Sequence, residues 1–306
     1  MSTKKGYLLI ALAGCFWGTL GLFGKILFSY NFTPQLVVFC RLFMGFIFLC
    51  IIILIKDRSL FGIDKRGLKY TALIGFFSQA LFNILYFQTI QKTSITTAVI
   101  LLYTAPSFLL IMGKLIYKEA ITSDKIIALI MCFIGCFLAV TGGFINGLNI
   151  NISGVFIGIG AGFTYALATI LGKAIIDKYN PLTIILYSFG FGWIFLVPIS
   201  KPLTLLHLNY DVKLIISIIG FGLIPATLSY VLYFTGLSHG VEVSKAGIVS
   251  SLEIVISALI SVLIFKEHLL GYKLVGVIII MLSIAFTPLK NLFRRLQKVK
   301  FLVGRL

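Results

Sequence analysis

The chain has 306 residues, of which 59% are hydrophobic and only 11% charged, and its mean hydropathy is +1.09. Too few polar side chains remain to clothe a water-facing surface, so an ordinary soluble domain is excluded. The net charge of +17 comes without a basic helix or interleaved aromatic motif, so it reads as membrane topology and attraction to anionic lipid, with no nucleic-acid partner.

Continuous apolar runs of roughly 20 residues are long enough to cross a hydrocarbon core as helices. They do not alternate as the strands of a barrel would. Ten such spans follow along the chain, at 7–28, 36–55, 70–90, 96–116, 126–145, 154–175, 182–200, 213–236, 246–265 and 272–289. Lys4 and Lys5 precede the first, as in a secretory signal, but the run is longer than a signal core and no cleavage motif follows. It is read as a span. Within it Trp17 either packs, with its N–H bonded to a neighbouring helix, or stacks on a ligand. Lys25, near its end, and Arg41, early in the second span, flank one turn and suit an anionic or carboxylate-bearing cargo. Lys25 equally suits snorkelling to the headgroups, whereas Arg41 sits deep enough to need an internal partner.

In the third span Gln79, Asn83 and Tyr86 stand at i, i+4 and i+7 on one face. Two amides so close together are hard to satisfy by packing alone, which makes this face a substrate-binding candidate. Thr96, Tyr103 and Ser107 share a face of the fourth span, where Pro106 removes a backbone donor. Gly154, Gly158 and Gly162 lay a small-residue strip along the sixth span, favouring close approach of another helix. Pro225 is a second kink candidate, in the eighth span, serving as a gate or merely as shape. The ninth span carries Ser250, Glu253, Ser257 and Ser261 along one stripe. Polar groups facing lipid are costly, so each polar stripe is expected to point into the protein, for substrate or for packing between helices. Glu253 lies about two turns into its helix, where a carboxylate needs a partner, a proton or water. It suits an amine on the cargo, a proton carried during the cycle, or a structural pair.

The chain also reads the same way twice, 148 positions apart. Gly6 falls on Gly154, Gly14 on Gly162, Gly24-Lys25 on Gly172-Lys173, Ala98 on Ala246, Lys118-Glu119 on Lys266-Glu267 and Lys125 on Lys273. Tyr165 takes the place of Trp17. The expected fold is therefore an all-α polytopic membrane protein of ten transmembrane helices in two five-helix repeats, residues 1–148 and 149–290, with a basic tail at 291–306. An odd number of spans per repeat turns the second copy upside down, which gives two near-equivalent packings and hence alternating access. Lys4, Lys5, Lys56 to Lys69, Lys118 to Lys125 and the tail would share one side, and the opposite turns of the first repeat carry only Lys92. The positive-inside rule places both termini in the cytoplasm, though Lys266 and Lys273 fall on the outer side. Glu119 and Glu267 read as interfacial ion-pair partners.

Phe16-Trp17-Gly18 with Lys25, Arg41, Tyr103-Thr104-Ala105-Pro106 and Lys118-Glu119 form one set of motifs. Gly162-Phe163-Thr164-Tyr165-Ala166 with Lys173, Ser251-Leu252-Glu253 and Lys266-Glu267 form the second. In this order and spacing the chain resembles an EamA-type member of the drug/metabolite transporter superfamily over roughly residues 7–288. One departure is Ile254, where family members commonly place proline after the ninth-helix glutamate. The resemblance implies a ten-helix exporter of small organic metabolites, often amino acids or related compounds, with a central cavity near Trp17. A lipid-linked or nucleotide-type flippase or an uptake carrier on the same scaffold, and a non-transporting membrane partner or receptor, are the alternatives.

The five cysteines fall within spans, and the three histidines lie in turns without forming a cluster, so no metal site is expected. No phosphate loop, nucleophile elbow or acid pair points to an enzyme, and no cofactor is implied. The expected partners are a small-molecule substrate, membrane lipid and a proton as coupling candidate; oligomeric state is open.

Overall fold

A computed structural model of the chain describes residues 3–144, 148, 151–208, 210–266 and 271–286. Among these residues the secondary structure is helical throughout, without strands. Among the described residues nine helices are long and apolar enough to cross a membrane: α1 Thr3–Ser29, α2 Pro34–Lys56, α3 Lys65–Lys92, α4 Ile95–Tyr117, α5 Ser123–Thr141, α6 Ile152–Lys173, α7 Pro181–Ser200, α8 Val212–Ser238 and α9 Val243–Leu263. The tenth expected span is present as a shorter apolar helix, α10 Tyr272–Phe286. Residues 287–289 of that span, Glu267, His268 and the 291–306 tail lie outside the described residues.

Capping chemistry sets many of the starts. Thr33, Asp64, Ser94, Asn151, Asn180 and Asp211 each accept a first-turn backbone N–H with a side-chain oxygen, satisfying donors that a helix leaves orphaned. Asp64 explains why α3 begins at Lys65, five residues before the expected 70. The charged run Lys65-Arg66 to Lys69 looks like a loop by hydropathy, yet it is the capped first turn.

Among the described residues five spans are not regular. α3 widens into a π-helical segment at Ile74–Leu81, and α8 does so at Gly222–Leu228 around Pro225. A π turn tolerates the missing donor of Pro225, so this proline sits in a local widening of the helix. α4 is broken at Tyr103-Thr104 between Ile95–Leu102 and Ala105–Tyr117, with Pro106 in the first turn of the second piece. α9 is broken at Ser251 between Val243–Ser250 and Leu252–Leu263. These irregularities obey the sequence offset: Ile74 and Gly222, Tyr103 and Ser251, and the left-handed turn residues Lys118 and Lys266 (φ 55° and 54°) are each 148 apart. α1 breaks once more at Gly18-Thr19, where the Thr19 hydroxyl donates to the Phe16 carbonyl at 2.7 Å; its counterpart α6 is continuous.

Close approaches hold the bundle. At the α1–α8 crossing a Cβ on Gly6 would stand 2.7 Å from the Gly236 carbonyl oxygen, and one on Gly236 would stand 2.8 Å from that of Gly6. The expected strip on α6 packs closely as well, with Gly154 against Thr93, Gly158 against Leu101 and Gly162 against Thr104. The main core joins Ile10 and Trp17 of α1, Leu42 of α2, Phe189 of α7 and Tyr230 of α8 with Val249 of α9. Large apolar side chains such as Leu115, Phe156, Ile216 and Leu282 remain exposed outside it, the surface expected of helices solvated by lipid.

Candidate functional site

The breaks in α4 and α9 meet. Each leaves a helix interior with a short irregular stretch, and between them lies a small cavity walled by Trp17, Tyr103, Pro106, Tyr165, Ser250 and Glu253. The Tyr103 hydroxyl, at the end of the first piece of α4, donates to Oε1 of Glu253 at 2.5 Å. Glu253 stands in the first turn of the second piece of α9, two residues past the break. The ion pairs among the described residues lie elsewhere, at Asp64, Glu119 and Glu242. A carboxylate so placed has a neutral hydroxyl as its partner, leaving room for a cation or a proton.

Aromatic rings form the rest of the wall. Trp17 stands edge-on to Tyr230 with ring centroids 5.2 Å apart, and tilted against Tyr233 at 5.1 Å. The hydroxyls of Tyr233 and Thr169 are 2.8 Å apart, and Gln79 Nε2 donates to the Tyr230 hydroxyl at 3.2 Å. Tyr165 packs on Phe82. The cavity volume is about 30 Å³, space for about two waters at one probe sphere each. An organic cargo fits only if the walls move apart.

The sequence candidates divide clearly. Trp17, Tyr103, Pro106, Tyr165, Ser250 and Glu253 come together at the cavity. The Gln79–Asn83–Tyr86 face does not present as a unit. Gln79 lies inside the π-helical segment and the other two beyond it, so the i, i+4, i+7 rule of a regular helix joins only the last pair. Gln79 is buried against Gly192 of α7, with Oε1 unpartnered. Asn83 donates back to the Gln79 carbonyl, and Tyr86 packs between Phe82 and Phe87. Ser257 is exposed and off the cavity, one turn beyond Glu253 on the same piece of α9. Arg41 is 9% exposed, makes no ion pair among the described residues and keeps an unpartnered Nε. Lys25 stands 3.6 Å over the Phe265 ring, a cation–π contact in place of free snorkelling. Pro225 lies in the π segment, away from the cavity wall.

Tyr230 and Tyr233 escaped the sequence reading. Their signal was two tyrosines three residues apart in one apolar span, hence on one face, each with a hydroxyl that needs a partner.

A second polar cluster lies at the end of the bundle that carries Lys118–Lys125. The Glu119 carboxylate accepts the backbone N–H of Val243 at 2.7 Å and that of Ser244 at 3.3 Å, together with the Ser244 hydroxyl at 2.5 Å. Lys125 stands 3.5 Å from Glu119 and 3.3 Å from Glu242. Nearby, Asp64 takes Lys178 and the Tyr179 hydroxyl. The Gly67 N–H first, then Lys178 and Tyr179, hold the Asp64 carboxyl well below the usual carboxylate range.

Comparison with known proteins agrees with this architecture. The model of the EamA-like transporter family matches residues 4–141 and again 152–288. The chain is 25% identical over 294 residues to the "uncharacterized inner membrane transporter YicL" of Salmonella typhimurium, covering 95% of this chain and 97% of that one. It is 27% identical over 273 residues to an "uncharacterized transporter" of Archaeoglobus fulgidus, covering 89% and 92%. "Uncharacterized transporter YxxF" of Bacillus subtilis is 26% identical over 238 residues, 74% of this chain and 72% of that one. A solved crystal structure superposes with a TM-score of 0.78 over 96% of this chain and 99% of its own, at 15% identity, a likeness of fold alone. A multi-pass helical bundle matched twice by one family, with relatives named as transporters, is a membrane transporter and not an enzyme: the chain belongs to the EamA-like transporter family.

Proposed function

We propose that this chain is a secondary transporter of the cytoplasmic membrane that exports small organic metabolites, amino acids or related compounds, by alternating access. In this reading ten helices form two inverted five-helix halves with both termini in the cytoplasm. The 148-residue offset shared by the helix breaks, the π segments and the left-handed lysines supports the two halves. The single observation that carries the proposal is the pairing of Tyr103 with Glu253 where the breaks of α4 and α9 meet.

A lone carboxylate in a low-dielectric cavity does not cross the membrane charged and unpaired. It moves either protonated or paired with a cation on the cargo. Proton and cargo amine then compete for Glu253, and that competition exchanges one for the other. Tyr103 holds the carboxylate while neither is bound, and the aromatic wall of Trp17, Tyr165 and Tyr230 supplies apolar surface to the rest of the cargo. Arg41, buried with no ion partner among the described residues, is the charge candidate for a carboxylate on the cargo.

The test is flux in proteoliposomes with a panel of amino acids, nucleosides and drugs, with and without an imposed pH gradient. Flux of an amine-bearing metabolite driven by the gradient is expected. Gradient-driven flux that survives unchanged in Glu253→Gln contradicts the assignment.

A further inference from the structure

Two carboxylate–tyrosine pairs tie the halves of the chain together. Asp64 caps the start of α3 through the Gly67 N–H at 2.8 Å and accepts the hydroxyl of Tyr179, from the turn between α6 and α7. Asp211 caps the start of α8 through the Leu214 N–H at 2.7 Å and accepts the hydroxyl of Tyr30, from the turn between α1 and α2, at 2.7 Å. The two aspartates lie 147 residues apart and the two tyrosines 149, so each pair is the copy of the other under the repeat.

The same pairs bracket two helices. Tyr30 precedes α2 and Asp64 follows it; Tyr179 precedes α7 and Asp211 follows it. The start of α7 is therefore tied to the end of α2, and the end of α7 to the start of α2. The two helices run antiparallel and are strapped at both ends. The 23 residues of α2 hold the straps roughly 34 Å apart at a rise of 1.5 Å per residue. Between the straps the helices touch closely: a Cβ on Gly45 would stand 2.8 Å from the Phe189 ring, and one on Gly192 3.1 Å from Leu42. The short turn after α2, Arg58–Phe61, is held by α7, where the Thr183 and Tyr187 hydroxyls donate to the Leu60 and Phe61 carbonyls, both at 2.7 Å. The turn after α7, Pro202–His207, packs Leu205 into the apolar cluster of Phe32 and Leu36. Each strap is exposed and modest alone, and the buried crossing between them supplies the rest.

The cavity is built by other helices. Its walls come from α1, α4, α6, α8 and α9, and among the described residues none lies on α2 or α7. On α8 the π-helical segment Gly222–Leu228 lies between the strapped start and the wall residues Tyr230 and Tyr233, at a kind of irregularity where helices bend. In an inverted repeat the second state is reached when each half takes up the conformation of the other. A contact made alike in both halves survives that exchange.

We infer that α2 and α7 form the axle of the molecule: the Asp64–Tyr179 and Tyr30–Asp211 pairs stay closed throughout the cycle while the cavity-bearing helices rock about them. This rests on the alternating-access reading given above.

The test cross-links the straps in a chain whose five native cysteines are replaced. Tyr30→Cys with Asp211→Cys, and Asp64→Cys with Tyr179→Cys, are each joined by a short bismaleimide, and flux of the amino-acid panel is measured in proteoliposomes. A third pair, Leu109→Cys with Gly247→Cys, joins α4 to α9 across the cavity wall, where a Cβ on Gly247 would stand 2.6 Å from Leu109. Flux is expected to persist undiminished with either strap cross-linked and to be lost when α4 is joined to α9. Loss of flux on cross-linking either strap overturns the axle alone. Flux that survives the α4–α9 cross-link overturns alternating access. Should a strap pair fail to insert, spin labels at the exposed Ser29 and Lys213, and at Arg66 and Asp177, leave both straps intact. Their separations are expected to stay fixed when a pH gradient is imposed, and a shift in either overturns the axle.

Discussion

In the proposed reading the hydrogen bond between Tyr103 and Glu253 carries the coupling, and its two members should fail differently. Removing a donor from a buried charged acceptor costs about 1.5–3 kcal/mol, so Tyr103→Phe should slow flux and move its pH profile while leaving a gradient effect. Glu253→Gln should abolish the gradient effect with insertion intact, as judged by flux beside membrane expression. Asp64 makes a separate prediction outside the membrane. Its carboxyl is held below its ordinary value, so the stability it lends is present above pH of about 4 and is lost as pH falls through the folded-state value. Asp64→Asn should therefore flatten the loss of thermal midpoint on acidification in detergent; an unchanged acid limb would remove Asp64 from the account. Glu253 was legible in the sequence because an acid inside an apolar span stands out. The facing of Gln79 was not legible, because no residue pattern announces the π turn in which it sits.

At the scale of elements, most helices could be read from apolar runs and several of their starts from the capping residues, while the interruptions could not. Pro106 hinted at the break in α4, yet nothing comparable marks Ser251 in α9, where Ile254 stands in place of the family's proline. Only the repeat predicts that break, by carrying Tyr103 onto Ser251. Helix crossings depend on glycine where two backbones touch. At Gly236 an added side chain meets a carbonyl oxygen at 2.8 Å and Ile10 at 2.6 Å, and a backbone oxygen does not swing aside. Gly236→Val should destabilise the bundle by about 1–3 kcal/mol through overpacking, measured as a lower thermal midpoint in detergent. A valine tolerated there without loss would show that α1 and α8 part easily.

For the whole molecule, the repeat at 148 residues does more than any single motif. It accounts for two matches to one family, for paired irregularities in α3 and α8 and in α4 and α9, and for Lys118 and Lys266 sharing a left-handed turn. Composition already fixed the solvent, and the family fixed the class of activity; in the proposed transport cycle the cavity has to widen before it takes a cargo. The central claim is that the halves lie upside down relative to each other, and the two lysine turns test it directly. In a cysteine-free chain, Lys266→Cys should react with an impermeant maleimide added to intact cells, and Lys118→Cys should react only after the membrane is permeabilised. Reaction of both from the same face would contradict the account.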